Sequence, residues 1–157
     1  LLLIPKNKVA RKQLAALWYG RKSYQPALNL LRQGISLDKH NHEFRIMTAR
    51  IYLTVNQVDQ AYQVLNETSD VNNIEYQSLL ANAAQQVGDN VGAAQAYSSL
   101  VQLVPQNGRY WLGLAVAFDS NGQFPEAIKA YQSAIIQGGL SKKALSFAKQ
   151  RKEELGE

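Results

Sequence analysis

The stretch that decides the fold is Ala-Ile-Lys-Ala-Tyr-Gln-Ser-Ala at residues 127–134. Related stretches precede it: Ala-Ala-Gln-Ala-Tyr-Ser-Ser-Leu at residues 93–100, Ala-Tyr-Gln-Val-Leu at residues 61–65, and Ala-Leu-Asn-Leu-Leu at residues 27–31. Their first alanines are 34, 32 and 34 residues apart. So regular a spacing predicts an array of similar structural units rather than one irregular domain.

Each unit reads as two helices joined by a short turn, because apolar residues recur at three- and four-residue spacing on either side of a break. Gly88 and Gly122 mark two of these breaks, and Asn56 stands at the same place in an earlier unit. Small residues that let the paired helices approach closely recur at Ala15, Ala49, Ala81 and Ala115.

A 34-residue period with two helices per unit is that of the tetratricopeptide repeat (TPR). The predicted fold class is therefore all-α, a right-handed superhelical TPR solenoid of helix-turn-helix units with a C-terminal capping helix. The predicted boundaries are 1–7 for the end of a truncated upstream repeat, 8–41, 42–73, 74–107 and 108–141 for four units, and 142–157 for the capping helix.

The same register interprets both ends of the sequence. Pro5 falls on the closing-proline position of a unit that lies before residue 1, so we expect the natural protein to continue upstream. Ser141 is expected to cap a last helix that solubilises the end of the array. The apolar residues Leu1, Leu3 and Ile4, with Leu17, predict a homodimer through the amino-terminal face.

The repeat also predicts which residues form the core. We expect the anchor alanines at positions 27, 61, 93 and 127 to be buried, together with the large side chains Leu80, Tyr97, Trp111 and Tyr131.

Composition limits the chemistry. The absence of cysteine excludes disulfides, thiolate metal sites and a cysteine nucleophile. Residues 1–50 carry ten Lys or Arg and two acids, a bias that we interpret as charge on solvated helix faces rather than as a nucleic-acid site. His40 and His42 lack enough neighbouring ligands for a metal site. The sequence therefore predicts no enzyme, catalytic residue, metal or cofactor.

What remains is a binding groove. The first helices of successive units line the inner face of such an array, where an extended peptide or a partner helix can lie. By register, the predicted protein-binding groove contains Lys12, Tyr19, Glu43, Ile46, Arg50, Leu53, Asn82, Gln85, Arg109 and Leu112.

Three longer stretches, residues 10–21, 108–115 and 138–141, resemble the C-terminal TPR region of the MshN family, biogenesis proteins of the mannose-sensitive haemagglutinin (MSHA) type IV pilus. The resemblance implies a non-catalytic scaffold for pilus assembly components. It also implies a location on the periplasmic side of the Gram-negative inner membrane, with a membrane anchor upstream of this soluble fragment.

Two other interpretations of the sequence stay open. One is a TPR adaptor or pilotin-like factor of another secretion or envelope system. The other is a regulatory TPR domain fused to an upstream enzyme.

Overall fold

A computed structural model describes residues 7–157, and in that range the chain forms helices and no strand. The helices are α1 (Lys8–Gly20), α2 (Tyr24–Leu37), α3 (His42–Thr54), α4 (Val58–Asn66), α5 (Ile74–Val87), α6 (Asn90–Leu103), α7 (Gly108–Ser120), α8 (Phe124–Gln137) and α9 (Lys142–Gly156). The all-α prediction is confirmed. The expectations placed on Leu1, Leu3, Ile4 and Pro5 lie outside the described residues.

Packing divides the chain into two compact units, one ending at Asp70 and the other spanning Val71–Glu157. In the first unit α1 packs on α2, α2 on α3 and α3 on α4. In the second unit the same succession runs from α5 to α9, each helix packing on the next. We call these two compact bodies the first unit and the second unit, which are distinct from the four repeat units predicted from the sequence.

An asparagine precedes the first helix of every pair. Asn7, Asn41, Asn73 and Asn107 each accept a backbone N–H from the following helix, at 2.8, 3.0, 3.0 and 3.0 Å for the shortest bond. Asparagine is among the strongest N-caps, because its side-chain oxygen satisfies an amide that the helix leaves without a partner. These four residues follow the repeat spacing, and this regularity fixes where each pair begins.

The turn inside each helix pair has one backbone shape throughout. Lys22, Asn56, Gly88 and Gly122 all have positive φ, at 56°, 59°, 82° and 75°. In each turn the next residue's N–H bonds back to the last helical turn, as Ser23 N does to the Trp18 carbonyl at 2.9 Å. This is the left-handed helix ending that glycine favours. Three of the four positions were predicted from the sequence, and Lys22 is added by the structure.

The anchor alanines form the centre of each helix crossing. Ala27, Ala61, Ala93 and Ala127 are all 0% exposed, as predicted, and so is Tyr131. The core prediction is wrong for Leu80, Tyr97 and Trp111, which are only half-buried. Leu80 and Tyr97 pack at the margin of a cluster of Ala81, Ala96 and Leu100. The Trp111 indole N–H donates to the Pro105 carbonyl at 2.7 Å, so its polar edge reaches the surface.

Buried arginines tie together the helix pairs of the first unit. Arg11 on α1 is 3% exposed and donates to the Leu30 carbonyl of α2 at 2.9 Å. Arg45, 34 residues later, is 2% exposed and donates to the Val64 carbonyl of α4 at 2.7 Å. The Val64 carbonyl lies in the last turn of α4, where the helix itself leaves acceptors open. The Leu30 carbonyl lies inside α2, and the Arg11 guanidinium bonds to it there.

The second unit fills the same repeat position differently. Gln77 and Trp111 stand where the first unit has Arg11 and Arg45. Its helices also approach closely at Gly113, where an added Cβ would lie 2.3 Å from the Tyr97 ring. At this repeat position the second unit therefore has a glutamine and a tryptophan in place of the buried guanidinium groups of the first unit.

The capping helix α9 begins as predicted, because the Ser141 hydroxyl accepts the Ala144 N–H at 3.1 Å. Its polar side also contacts the helices that precede it. Arg151 donates to both carboxylate oxygens of Asp119 on α7, at 2.7 and 2.9 Å. Tyr131 on α8 donates to the same carboxylate at 2.9 Å. One carboxylate therefore joins three helices.

Candidate functional site

The predicted groove residues of the first unit lie on α1 and α3. Lys12 and Glu43 form an ion pair of 2.9 Å, with side chains 48% and 65% exposed. The Tyr19 hydroxyl lies 3.4 Å from the Thr54 hydroxyl of α3. Because both links are solvent-exposed, they cost little to open, and exposed ion pairs contribute at most about 1 kcal/mol. A ligand can therefore displace them.

A cavity of about 370 Å³ separates the two helices. It is lined by Lys8, Val9, Lys12, Gln13, Ala16, Asn41, Glu43 and Phe44. Val9 is 62% exposed, so the cavity combines apolar surface with charged rims. Such a mixture is typical of sites that orient a ligand through a few polar groups.

The three other predicted residues of α3 differ in their exposure. Ile46 is 5% exposed and belongs to the core, so it cannot contact a ligand in this arrangement. The reason is that α3 packs on both α2 and α4, which buries more than one of its faces. Leu53 is half-buried, and Arg50 is exposed.

In the second unit the predicted residues lie on α5 and α7. Asn82 and Gln85 are exposed, and each is already hydrogen-bonded within the unit: Asn82 accepts from Gln86, and Gln85 accepts from the Tyr97 hydroxyl at 3.3 Å. Burial raises the pKa of Tyr97, with the nearby Tyr110 adding to the rise, so this hydroxyl keeps its proton as a donor.

The α7 face of the second unit offers a cation and an apolar group. Arg109 is exposed, and Leu112 is half-buried. The Tyr110 hydroxyl lies 3.4 Å from the Ser78 hydroxyl of α5, which places these two first helices side by side. The Asp119 carboxylate, further along α7, accepts hydrogen bonds from Arg151 and Tyr131, so it is not available to a ligand.

Several titratable groups within residues 7–157 form structural pairs. The His42 imidazole lies 2.9 Å from the Asp70 carboxylate, and Lys8 pairs with Asp38. The Lys8 ammonium holds the pKa of Asp38 below its ordinary value. No group of three His, Cys, Asp or Glu side chains in this range could hold a metal ion.

Comparison with known proteins identifies the family to which the chain belongs. Two family models described as tetratricopeptide repeat match residues 19–83 and 78–141. These matches agree with the structure, in which helices pair and cross at small residues. Together they define a helical-repeat protein. The chain belongs to the tetratricopeptide repeat family, and it is a protein-interaction scaffold of that type.

Solved structures agree on the fold. MamA from Desulfovibrio magneticus RS-1 superposes with a TM-score of 0.75 at 17% identity, over 98% of this chain and 90% of that one. MamA MSR-1 gives a TM-score of 0.72 at 21% identity, over 94% and 86%. At these identities the likeness concerns the fold alone.

One curated relative is similar in sequence. The BBSome complex member BBS4 homolog of Drosophila melanogaster is 27% identical over 136 residues, covering 85% of this chain. The chain spans only 28% of that protein's length. Among residues 7–157, no helix combines the length and the hydrophobicity required to cross a bilayer.

The sequence reasoning missed the buried arginines and the asparagine caps. The caps had a readable signal, since an asparagine recurs at the repeat spacing immediately before each first helix. The arginines Arg11 and Arg45 also stand one repeat apart, but their burial could not be inferred from this spacing, because an arginine at a helix position is ordinarily exposed.

Proposed function

We propose that this scaffold binds its partner along the first helices of its repeats, with α1 and α3 contributing one surface and α5 and α7 another. The observation that supports this proposal is the cavity between α1 and α3, which has Lys12 and Glu43 at its rim and Val9 on its wall. A partner segment would replace an exposed ion pair of small energy with its own polar contacts while covering apolar surface.

The predicted residues of the second unit suit the same kind of ligand. Asn82 and Gln85 carry amides that both donate and accept, so they can pair with a peptide backbone in either orientation. Arg109 adds a cation that recognises a carboxylate in a planar, bidentate manner. An extended segment or one face of a helix satisfies these groups.

We further propose that the scaffold assists assembly of the MSHA type IV pilus on the periplasmic side of a Gram-negative inner membrane. The support is the resemblance of residues 10–21, 108–115 and 138–141 to the MshN family. A relative whose name describes it as a member of a complex is consistent with a role in assembly. Pilus assembly components are then the partners.

The test is genetic. The gene is deleted in its host, and surface pili are counted by electron microscopy and by mannose-sensitive haemagglutination. Complementation uses the whole gene carrying either Arg109→Glu, on the proposed surface, or Lys129→Glu, an equal charge change on the exposed side of α8. We expect the deletion to lose pili, Lys129→Glu to restore them and Arg109→Glu to fail at equal protein level.

Each part of the proposal fails separately. Normal piliation in the deletion strain contradicts the pilus role. Restoration by Arg109→Glu as complete as that by Lys129→Glu contradicts the assignment of Arg109 to the binding surface.

The homodimer stays a prediction. Of its apolar residues, only Leu17 lies in the described part of the chain, and it is 49% exposed. Burial of apolar surface should strengthen with salt, while salt screens repulsion between the basic groups nearby. We expect light scattering of the chain to show more dimer at high salt. A monomer at every salt concentration contradicts it.

A further inference from the structure

A second cleft opens in the first unit where the second helices α2 and α4 meet another face of α3. Its volume is about 690 Å³, within the range of established ligand sites. It is lined by Arg32, Ile35, Ser36, Lys39, His40, Arg45, Thr48, Tyr52, Gln60, Gln63, Val64, Glu67 and Thr68. None of these residues belongs to the predicted first-helix groove. We call it the second-helix cleft.

The cleft carries positive charge that the described residues do not neutralise. Arg45 is paired with Glu67 at 2.8 Å, so these two charges cancel. Arg32 and Lys39 line the cleft, and neither has an acidic partner among residues 7–157. By contrast, Lys8 and Lys12 on α1 are each matched by a carboxylate. The unit thus leaves two cations unmatched in one concavity.

Arg32 is held in position rather than free to move in solvent. Its Nε donates to the Tyr52 hydroxyl at 3.2 Å, Nη2 donates to the same oxygen, and the guanidinium lies 5.8 Å from the Tyr52 ring centre. Tyr52 is itself 7% exposed and anchored in the core. Nη1 has no acceptor among the described residues. A fixed guanidinium loses less entropy when it binds a carboxylate, and its fork matches that group.

The opposite wall offers neutral hydrogen-bonding groups. Gln60 and Gln63 stand three residues apart on α4, so their side chains share one face of the helix. Both are exposed, and both line the cleft. Their amides donate and accept, which suits the backbone of an extended chain lying between them and the cations.

We propose that the second-helix cleft binds an extended acidic segment of a partner protein, at a site separate from the first-helix groove. The unmatched cations select carboxylates, and the glutamines hold the peptide backbone. A concave site of this volume receives a chain segment, whereas an anionic membrane requires cations displayed on an open surface. The proposal is independent of the pilus role.

The test measures binding of a fluorescein-labelled peptide of alternating Glu and Gly by fluorescence anisotropy. Arg32→Gln with Lys39→Gln removes two cations from the cleft. Lys142→Gln with Lys143→Gln removes two exposed cations from α9, so the net charge of the two variants is equal. We expect the cleft variant to bind roughly tenfold more weakly, since unpaired carboxylates are left behind, and the α9 variant to bind like wild type. Equal weakening in both variants overturns the proposal.

A second pair of variants avoids any loss of the Arg32–Tyr52 contact. Gln63→Glu places a negative charge in the cleft, and Gln102→Glu places one at an exposed position of α6. Only Gln63→Glu should weaken peptide binding. Vesicles of phosphatidylcholine and phosphatidylserine form the last arm. Binding to vesicles that depends on Arg32 and Lys39, with no binding of the peptide, overturns the proposal in favour of a membrane.

Discussion

The two units of this chain build the same repeat with different chemistry. The first unit places Arg11 and Arg45 at a buried position of its first helices, where the second unit has Gln77 and Trp111. The first unit ends its first helices on Lys22 and Asn56, where the second unit uses Gly88 and Gly122. One repeat position thus accommodates arginine, glutamine or tryptophan, depending on the groups around it.

The arginines of the first unit show what such an exchange requires. Arg45 donates to the Lys39 carbonyl at 2.8 Å, to the Val64 carbonyl at 2.7 Å and to Glu67 at 2.8 Å. Arg11 also needs space, since a Cβ at Gly34 would lie 2.7 Å from its Cδ. Burying a charge is tolerated only when hydrogen bonds replace the lost water. A buried arginine is therefore accepted only where acceptors and space of this kind surround it.

The largest effect is expected for Ala93→Arg. Ala93 is 0% exposed at a helix crossing of the second unit, so an arginine there would force a charge and extra volume into a packed core. We expect a loss of more than about 4 kcal/mol, enough to unfold the second unit. Urea unfolding and hydrogen exchange over residues 71–157 measure it. Gln95→Arg, on the exposed side of the same helix, is the control, and a wild-type melt for Ala93→Arg would show the register to be wrong.

Arg45→Ala is expected to be the next most damaging. It leaves a cavity and strips two carbonyls of their donor, which together cost roughly 3–5 kcal/mol. Arg45→Met restores the volume and should recover part of the loss, because only the hydrogen bonds are then missing. Arg21→Ala removes an exposed arginine of the same unit and should change the unfolding midpoint little. A neutral Arg45→Ala would mean that the buried guanidinium contributes nothing.

The carboxylate of Asp119 gives the second unit a dependence on pH. The hydrogen bonds from Arg151, and then that from Tyr131, hold the pKa of Asp119 below its ordinary value despite partial burial. A lowered folded pKa contributes stability above the unfolded value of about 4 and loses it as the pH falls through the folded pKa.

Asp119→Asn should therefore lower the Tm by a few degrees at neutral pH, and the difference from wild type should shrink in acid. Thermal melts of both proteins at a series of pH values from neutral to acidic measure this difference in Tm. Asp59→Asn, at an exposed position of α4, serves as the matched control. A difference that stays constant across this range would mean that the charge of Asp119 does not join the helices.

The smallest effect concerns the turns. Lys22 holds a φ of 56° that glycine adopts without strain, so Lys22→Gly should gain about 0.5–1 kcal/mol. Gly88→Ala in the second unit should lose a similar amount for the same reason. Chemical unfolding of both variants measures the pair. If Lys22→Ala stabilised as much as Lys22→Gly, the lysine charge rather than the backbone angle would be responsible.

The sequence predicted the all-α repeat fold and the breaks inside three of its helix pairs, because these signals are local. Spacing of alanines, turn residues such as Gly88 and a cap such as Ser141 depend only on neighbours within a few positions. Helical periodicity assigns each residue to one face of its helix, and it assigned Ile46 to the face of α3 that lines the groove. Periodicity alone does not show that α3 is covered on more than one face, and in the structure Ile46 belongs to the core.

What the sequence determined by itself is the repeat: its period, its helix pairs, its turns and the alanines at its crossings. Only the tertiary structure decided which charges are buried, which are matched and which stay available. Arg11 and Arg45 are buried because carbonyls 19 residues further along the chain meet them. Lys12 is matched by a carboxylate on another helix, whereas Lys39 is not. The residues next to a donor in the sequence do not reveal an acceptor that comes from a distant helix. Whether a charged side chain is buried, paired or available is therefore decided only when the helices pack.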